Sequence, residues 1–271
     1  MTIRHFTLAD IAAIVPVFMR GFRHQANHQR LLEWLLQLQP DGFWTMEVDG
    51  KLAGMVGAVR YDEAAYLNMM VVEPELQGRG IGKALLETLL ADLARHGCKT
   101  VMLEATPAGK PLYEHFGFAV DGGTHDLRRL GERECAVVGA AGLPDDFDEI
   151  VAWDAAAFGA ERRRMLESML GLPNSRAITA AGGMIIANEF VVGPWVAGDA
   201  DTAEVLLNLA LGLRTTKAGR LMVPAENEAA LGMLLGRGYE IGQTAPHMRR
   251  GPALKGRNRG LTFGQASLAL G

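Results

Sequence analysis

The stretch that decides the fold runs from residue 67 to residue 90, where an apolar run leads through a glycine-rich loop into a helical pattern. Leu67-Asn68-Met69-Met70-Val71-Val72 predicts a strand, and Glu73-Pro74-Glu75 predicts the turn that ends it. Gln77-Gly78-Arg79-Gly80-Ile81-Gly82 follows, and Lys83-Ala84-Leu85-Leu86-Glu87-Thr88-Leu89-Leu90 repeats apolar residues at helical spacing. The glycines therefore lie where a strand ends and a helix begins.

A helix start of this kind is suited to an anion. Its first N–H groups have no partner inside the helix, and the helix dipole is positive there. Gly78 and Gly80 carry no Cβ that would keep the backbone away from a phosphate, and Arg79 and Lys83 add positive charge. The spacing is that of neither the P-loop nor the dinucleotide fingerprint, because Ala84 follows Lys83 and a third glycine is missing. By itself, this pattern also fits a glycine-rich connection that binds nothing.

The loop resembles the acyl-CoA pyrophosphate loop of the GNAT superfamily of N-acyltransferases, in which Gln-x-x-Gly-x-Gly joins a strand to a helix. Pro111-Leu112-Tyr113-Glu114-His115-Phe116-Gly117-Phe118 is similar to the second signature of that family, and the two occur in the family's order and separation. The resemblance implies an α/β (α+β) fold, with a mixed, mostly antiparallel twisted sheet flanked by helices. It also implies transfer of an acyl group, usually acetyl, from CoA to an amine.

The resemblance assigns roles to individual residues. The backbone of Met70, Val71 and Val72 would pair with the pantetheine arm, and the amides from Gly78 to Lys83 would hold the pyrophosphate. Thr106 stands where the family usually has an asparagine. The full set of expected cosubstrate-binding residues is Met70, Val71, Val72, Gln77, Gly78, Arg79, Gly80, Ile81, Gly82, Lys83 and Thr106.

Tyr113 occupies the position of the family's general acid, although a core tyrosine beside Phe118 is the alternative. Glu104 resembles the glutamate base of the N-terminal alanine acetyltransferases of ribosomal proteins. A solvated carboxylate at a strand end fits Glu104 equally well, because only a perturbed pKa would separate the two. Tyr66 and Asn68 lie on one face of their strand and are further candidates for ordering a water.

The second half repeats the element order of the first without its motifs, which favours an internal duplication. Where the loop should be stands Gly198-Asp199-Ala200-Asp201-Thr202-Ala203, whose two aspartates would repel a pyrophosphate. Asn227 matches a family asparagine, and we interpret it as a helix N-cap. We therefore predict a catalytic domain over 1–131, a degenerate domain over 132–250, and a tail over 251–271 that is either a last strand on the second sheet or a frayed end.

Composition limits the other possibilities. The 271 residues are 49% hydrophobic and 21% charged, with a formal net charge of -4, which gives no argument for nucleic acid. Cys98 and Cys135 are too few for a disulfide framework, and no apolar run of 18 residues suggests a membrane span, so we expect a cytoplasmic protein. The histidines show no metal-ligand spacing, so no metal is expected. The basic residues between Arg249 and Arg259 are interpreted as a solvated tail.

The sequence thus predicts an N-acetyltransferase that moves an acetyl group from acetyl-CoA to a primary amine of a small molecule or peptide by direct attack. Arg20, Arg23 and His24 could border the acceptor, although a solvated helix end fits them better. Two alternatives stay open: a non-catalytic module that binds or senses acyl-CoA, and an aminoglycoside-type drug acetyltransferase. A monomer and a homodimer are both compatible with the sequence.

Overall fold

The computed structural model describes residues 1–22, 28–129, 147–188, 191–212 and 219–271. Arg23, His24, Cys135 and the expected domain boundary after residue 131 lie outside these ranges. The strands are β1 Thr2–His5, β2 Phe43–Val48, β3 Lys51–Tyr61, β4 Ala64–Val72, β5 Thr100–Glu104, β6 Ala119–Arg128, β7 Arg176–Ala180, β8 Gly183–Ala187, β9 Val192–Ala197, β10 Arg220–Pro224, β11 Glu240–Arg250 and β12 Thr262–Gly264.

The helices occur in the same order in both halves of the chain. They are α1 Ile11–Gly21, α2 Gln29–Leu38, α3 Ile81–Arg95, α4 Lys110–His115, α5 Phe147–Phe158, α6 Arg163–Leu170, α7 Ala200–Gly212 and α8 Glu228–Gly236. Asp49 and Gly50 form the hairpin turn between β2 and β3, and the Asp-Gly pair suits it because both residues have positive φ, 51° and 74°. Asn227 is confirmed as an N-cap, because its side chain accepts a hydrogen bond from the Ala230 amide.

The strands of the two halves meet in one sheet. An eight-stranded sheet has the order β1-β2-β3-β4-β5-β11-β6-β10, and a four-stranded sheet has the order β12-β9-β8-β7. Strand β11, from the second half, lies between β5 and β6 of the first half and is antiparallel to both. Strand β6 in turn pairs with β10 of the second half. In each half, the strand that follows the last helix therefore pairs with strands of the other half. The expected mixed, mostly antiparallel sheet is confirmed, with β4 and β5 as its parallel pair.

Strands β4 and β5 separate soon after they pair. Their parallel register runs from Ala64–Thr100 to Tyr66–Met102. On its other edge β5 pairs with β11 from Val101 to Glu104, while β4 continues beside β3 as far as Val72. A wedge-shaped opening therefore lies between the later parts of β4 and β5, and α3 follows β4 directly.

The corresponding opening of the second half is filled by the chain itself. Strand β12 pairs with β9, and the amide of Gln265, just after β12, donates to the Met222 carbonyl on β10 at 2.7 Å. The Asn227 side chain donates to the Thr262 carbonyl at 2.9 Å and so holds β12 in place. The loop between β9 and α7 is also short, and the Asp199 carboxylate accepts from the Thr202 amide at the helix start.

A single apolar core joins the two halves. It packs α1 and α2 of the first half against α5 and α6 of the second, with Phe18, Leu35, Ile150 and Leu166 fully buried within it. Trp34 on α2 donates its indole N–H to Ser168 Oγ on α6 at 2.7 Å. A second core lies under α3 on the opposite face of the large sheet. The relative placement of the halves is therefore fixed by buried packing.

One strand was not foreseen from the sequence, and one expectation is wrong. After Phe118 the chain forms the single strand β6, and its partner is β11 of the second half, which the sequence did not predict. The basic segment after Arg249 is not a solvated tail, because the Arg259 side chain is only 11% exposed. Arg257 and Arg259 turn inward, since the chain there passes across the junction of the halves to reach β12.

Candidate active site

The glycine-rich loop is open toward solvent. Gly78 and Gly80 have positive φ, 77° and 81°, and a Cβ built on either would meet no atom of the described chain within 4 Å. Gly80 is the N-cap of α3 and provides no side-chain cap, so the first amides of α3 keep their N–H groups free of a capping side chain. Gln77 Nε2 donates to the Val72 carbonyl at 3.1 Å and ties the loop to the end of β4.

Strand β4 carries a bulge beside this loop. Val71 pairs with Met55 while Asn68 pairs with Gly57, so β4 has one extra residue, and Met69 takes a φ of 51°. The bulge lies where β5 has separated from β4, so the register with β5 does not extend to Met70, Val71 or Val72.

The helix with Tyr113 packs against the same loop. Thr106 Oγ1 accepts from the Gly109 amide at 3.1 Å and so starts the turn that leads into α4. A Cβ on Gly82 would lie 3.4 Å from Leu112 Cδ2, which shows how closely α4 approaches the start of α3. Tyr113 is 6% exposed and lies edge-on to Phe118 at 5.8 Å. Burial raises the pKa of Tyr113, so its hydroxyl keeps its proton at neutral pH.

Glu104 is the centre of a buried hydrogen-bond network at the end of β5. Its Oε1 accepts from the Tyr66 hydroxyl at 2.9 Å, the Thr124 hydroxyl at 2.8 Å and His247 Nδ1 at 3.0 Å. Gln265 Nε2 approaches the same oxygen at 3.4 Å. In contrast, Oε2 is buried without a hydrogen-bond partner in the described part of the chain. Oε1 is therefore held in place by its donors, and Oε2 can still accept a hydrogen bond.

The charge of Glu104 follows from its neighbours. Burial raises the pKa of Glu104, but the hydrogen bond from His247 and the positive charge of Arg259 outweigh burial, so the pKa lies below its usual range. The alternative of a solvated strand-end carboxylate is wrong, since the Glu104 side chain is 1% exposed. Glu104 is thus an ionised carboxylate that is held out of water at neutral pH.

His247 has a defined tautomer in this network. Arg257 Nη1 lies 2.9 Å from His247 Nε2, and a guanidinium can only donate, so Nε2 accepts and Nδ1 carries the proton given to Glu104. Burial lowers the pKa of His247, which keeps the ring neutral. His247 stands opposite Glu104 in the antiparallel register of β11 and β5. The second half therefore orients the carboxylate of the first.

The candidate residues lie on two faces of the large sheet. Glu104 and Tyr66 lie on the face that carries α1 and α2, because Tyr66 and Met102 belong to that core. Tyr113 belongs to the core under α3 and α4, on the other face. The opening between β4 and β5 connects the two faces. Glu104 and Tyr113 can therefore act on the same ligand only if that ligand passes through the opening.

The last described residues line the Glu104 face. Asn68 Nδ2 donates to the Ala269 carbonyl at 2.9 Å, and a Cβ on Gly271 would lie 2.6 Å from the Tyr66 ring. Arg162 holds the same segment by donating to the Leu270 and Gly271 carbonyls, while it forms a buried, two-bonded ion pair with Asp154 at 2.6 and 2.8 Å. Tyr66 and Asn68 thus share a face, as their spacing predicts.

A small cavity lies between the halves beside this network. We call it the inter-half pocket, and its polar lining is formed by Asp154, Arg162, Arg257, Arg259, Thr262 and Gln265. Arg20, considered as a residue bordering the acceptor, instead pairs with Glu73 at 2.6 Å on the exposed end of α1.

Sequence reasoning missed the contribution of the second half to this site, namely His247, Arg257, Arg259 and Gln265. One signal was available: Gly238-Tyr239 follows α8 as Gly117-Phe118 follows α4, so the repeat predicts a strand after each helix. Nothing in the repeat says that the two strands are exchanged. The network around Glu104 is therefore visible only in three dimensions.

The described ranges contain neither a metal-ion cluster nor a membrane-spanning helix. Within them, no group of three or more His, Cys, Asp or Glu side chains is placed to hold a metal ion. No helix in those ranges is both long and apolar enough to cross a membrane.

Comparison with known families agrees with this architecture. The model of the "Acetyltransferase (GNAT) family" matches residues 9–118, and the model of an "Acetyltransferase (GNAT) domain" matches residues 150–263. The uncharacterized N-acetyltransferase YitH of Bacillus subtilis is 24% identical over 228 residues, which cover 78% of this chain and 79% of that protein. The ribosomal protein bS18-alanine N-acetyltransferase of Escherichia coli is 39% identical over 74 residues, 26% of this chain and 49% of that protein.

Solved structures show the same arrangement over the whole chain. The crystal structure of a putative acetyltransferase from Pyrococcus horikoshii superimposes with a TM-score of 0.87 at 26% identity, covering 100% of this chain and 95% of that one. A GCN5-related N-acetyltransferase from Kribbella flavida shares the fold with a TM-score of 0.61 at 21% identity, covering 92% and 70%. The chain is therefore an acyltransferase of the GNAT family, with two GNAT domains in tandem.

Proposed function

We propose that this acetyltransferase moves an acetyl group from acetyl-CoA to a primary amine, and that the N-terminal half catalyses the transfer. The observation that carries the proposal is the buried, ionised carboxylate of Glu104 with one oxygen unpaired in the described structure, beside the opening between β4 and β5. An amine that attacks a thioester must lose a proton, and a positioned carboxylate is a suitable base.

The first half is suited to acetyl-CoA and the second is not. Gly78 and Gly80 leave open space over the start of α3, where a pyrophosphate would meet free amides and the side chains of Arg79 and Lys83. In the second half, β12 fills the equivalent opening, and the Asp199 carboxylate already caps the helix. Acetyl-CoA would therefore be bound by Met70, Val71, Val72, residues 77–83 and Thr106. A degenerate second domain explains both the opening filled by β12 and the helix start capped by Asp199.

Acetyl-CoA supplies an acetyl group activated as a thioester. Glu104 Oε2 accepts a hydrogen bond and then a proton from the acceptor nitrogen as that nitrogen bonds to the acetyl carbon. A backbone amide on the open edge of β4, at Met70, Val71 or Val72, stabilises the negative charge that develops on the thioester oxygen. Tyr113, protonated because burial raises its pKa, gives a proton to the departing sulfur.

The alternatives fit the site less well. A module that only senses acyl-CoA would not need a desolvated carboxylate held by three donors, since such burial is costly without a role. A polycationic aminoglycoside would face Arg257 and Arg259, whose charges repel it. We place the protein in the cytoplasm. A peptide N-terminus, the acceptor implied by the name of the bS18-alanine relative, remains the second candidate acceptor class.

The test is release of free thiol from acetyl-CoA with a panel of amino acids, polyamines, amino sugars, aminoglycosides and peptides. Release that depends on one acceptor class, and falls by about 10- to 100-fold in Tyr113→Phe while acetyl-CoA binding is retained, is the expected result. Release that is the same in Tyr113→Phe would remove Tyr113 from the mechanism. No release with any amine, in protein that binds acetyl-CoA, would refute the proposed transfer.

A further inference from the structure

Several buried polar atoms beside Glu104 have no partner in the described chain. Donors are left over on the arginines, at Arg257 Nε and at Arg259 Nε and Nη1. Acceptors are left over at Glu104 Oε2, Gln265 Oε1 and Asn68 Oδ1. Buried polar groups are nearly always hydrogen-bonded, so a set of this size is suited to pairing with a bound polar molecule.

The charges show what kind of ligand fits. Arg162 is neutralised by Asp154, whereas Arg257 has no carboxylate partner among the described residues. Arg259 Nη1 lies 3.6 Å from the exposed Glu226 carboxylate. Arg257 Nε and Arg259 Nε remain buried guanidinium donors without a hydrogen-bond partner in the described chain. The inter-half pocket therefore favours an anionic group.

The phosphates of acetyl-CoA are not that anion. The loop that would hold them starts α3, on the opposite face of the large sheet from Glu104 and Tyr66. The anion near Arg257 and Arg259 must then belong to the other substrate, the acceptor. This step rests on the proposed function, since it presumes that an amine binds at Glu104.

Distances within the hydrogen-bond network indicate how far apart the amino group and the anionic group of the acceptor lie. Arg259 Nη2 donates to Thr124 Oγ1 at 3.0 Å, and Thr124 Oγ1 donates to Glu104 at 2.8 Å. One hydroxyl thus separates the guanidinium from the carboxylate, a span that an amino group and a carboxylate one or two carbons apart can bridge. We propose that the acceptor is a small amino acid, α or β, whose amino group binds at Glu104 Oε2 and whose carboxylate binds Arg259 and Arg257.

The enclosure of the pocket supports a free amino acid over a protein N-terminus. Phe158, Val196 and Gly271 close it on the apolar side, and the segment 265–271 lies across the Glu104 face. A peptide N-terminus has an amide where a free amino acid has its carboxylate, so it would leave the arginines unpaired. Discrimination against a substrate that lacks a partner for buried polar groups is characteristically large.

Matched pairs of substrates test the inference. L-α-amino acids and β-alanine are compared with their carboxamides for acetyl-CoA-dependent thiol release. We expect kcat/KM to be at least about 100-fold higher for the acid of the preferred pair. Arg259→Gln should raise KM for the acid by about 10- to 100-fold and leave the amide unchanged, while the exposed Arg250→Gln serves as the matched control.

The outcomes separate this inference from the proposed function. Amides used as well as acids, or an Arg259→Gln defect of equal size on both, would overturn the inference while leaving an amine acetyltransferase in place. If neither acid nor amide is acetylated, but tryptic or synthetic peptides are, the free amino acid is wrong and the peptide acceptor is right. If no amine is acetylated, both fail. Calorimetric binding of the acid, lost in Arg259→Gln and kept in Arg250→Gln, supports the inference without relying on turnover.

Discussion

The two oxygens of Glu104 have opposite surroundings. Oε1 accepts from Tyr66, Thr124 and His247, while Oε2 has no partner in the described structure. Burial raises the pKa of Tyr66 well above its ordinary value, so its hydroxyl is a permanent donor. This arrangement fixes the orientation of the carboxylate and leaves one oxygen, Oε2, for the proposed proton transfer.

Glu104→Gln should lower kcat/KM by about 100-fold or more, because the amide is nearly the same shape but cannot take a proton. Acetyl-CoA binding should be retained. Glu63→Gln, at an exposed turn where Glu63 pairs with Lys99, is the matched control. Thiol-release kinetics and equilibrium dialysis with labelled acetyl-CoA measure the two properties. A kcat/KM for Glu104→Gln within threefold of the parent value would show that Glu104 is not the base.

The start of α3 shows how one element creates a binding surface. Its N-cap is a glycine with a φ of 81°, so neither a side chain nor a Cβ lies over the first amides. The loop from residue 73 to residue 80 also gives this helix a longer approach than α7 has, where Gly198 and Asp199 are the only residues between strand and helix. Loop length and the capping residue together distinguish the open start of α3 from the capped start of α7.

Gly80→Glu should abolish acetyl-CoA binding with little loss of stability. The carboxylate would lie where the pyrophosphate is expected, and a positive φ costs a non-glycine residue about 1–2 kcal/mol. Gly97→Glu is the matched control, because Gly97 at the other end of α3 has a φ of 80° and equally open space. Calorimetric titration with acetyl-CoA measures affinity, and urea unfolding measures the strain. Equal affinities in the two variants would refute the assigned loop.

The capping box before α1 gives a pH-dependent contribution to stability. Asp10 accepts from Arg4 and from the Thr7 amide, and the Arg4 hydrogen bonds are the main reason why the pKa of Asp10 falls from 3.8 to about 2. A lowered pKa means that the contribution is complete above pH 3.8 and is lost as pH falls toward 2.

Asp10→Ala should therefore lower the free energy of unfolding by about 1–2 kcal/mol at pH 7, and the difference from the parent should shrink between pH 4 and pH 2. Urea denaturation followed by circular dichroism across that range measures it. Glu87→Ala removes a weak exposed pair, 4.0 Å from Lys83, and should change stability by less than about 0.5 kcal/mol. A difference that stays constant with pH would contradict the assigned pKa.

At the scale of the whole molecule, the two halves complete each other. Strand β11 stands between β5 and β6, the core of α1 and α2 includes α5 and α6, and His247 bonds Glu104. Residues after β12 also close the opening of the second half and then continue to the Glu104 face of the first. The second half therefore contributes directly to the candidate site while its own cleft is filled.

A fragment of residues 1–129 should not fold cooperatively, because it leaves β5 and β6 without the strand between them and exposes half of a shared core. The intact chain should unfold in one transition. Co-expression of 1–146 with 147–271 should restore solubility and acetyl-CoA binding. Circular dichroism melting and size-exclusion chromatography measure these outcomes. A fragment 1–129 that melts cooperatively and binds acetyl-CoA would show that the exchanged strand is dispensable.

The sequence by itself determined the local features of this protein. Apolar periodicity, Asp49-Gly50, the glycines at 78 and 80, and Asn227 each specify a hairpin, a helix start or a cap through contacts within a few residues. The family also follows from local motifs, because the two signatures lie within the stretch from Leu67 to Phe118. Short-range backbone geometry depends on residues that are neighbours in the sequence, so it can be predicted before the fold is known.

Only the tertiary structure decided which strand stands beside β5, and therefore what surrounds Glu104. His247 is 143 residues away from Glu104, and Gln265 is 161 residues away. Strand pairing is specified by burial and register summed over a whole sheet, and the sequence of β11 would suit either half. The sequence left a catalytic base and a solvated strand end equally open for Glu104, and the exchange of β6 and β11 makes it a buried, oriented group. The basic residues Arg257 and Arg259, interpreted from the sequence as part of a solvated tail, line a pocket.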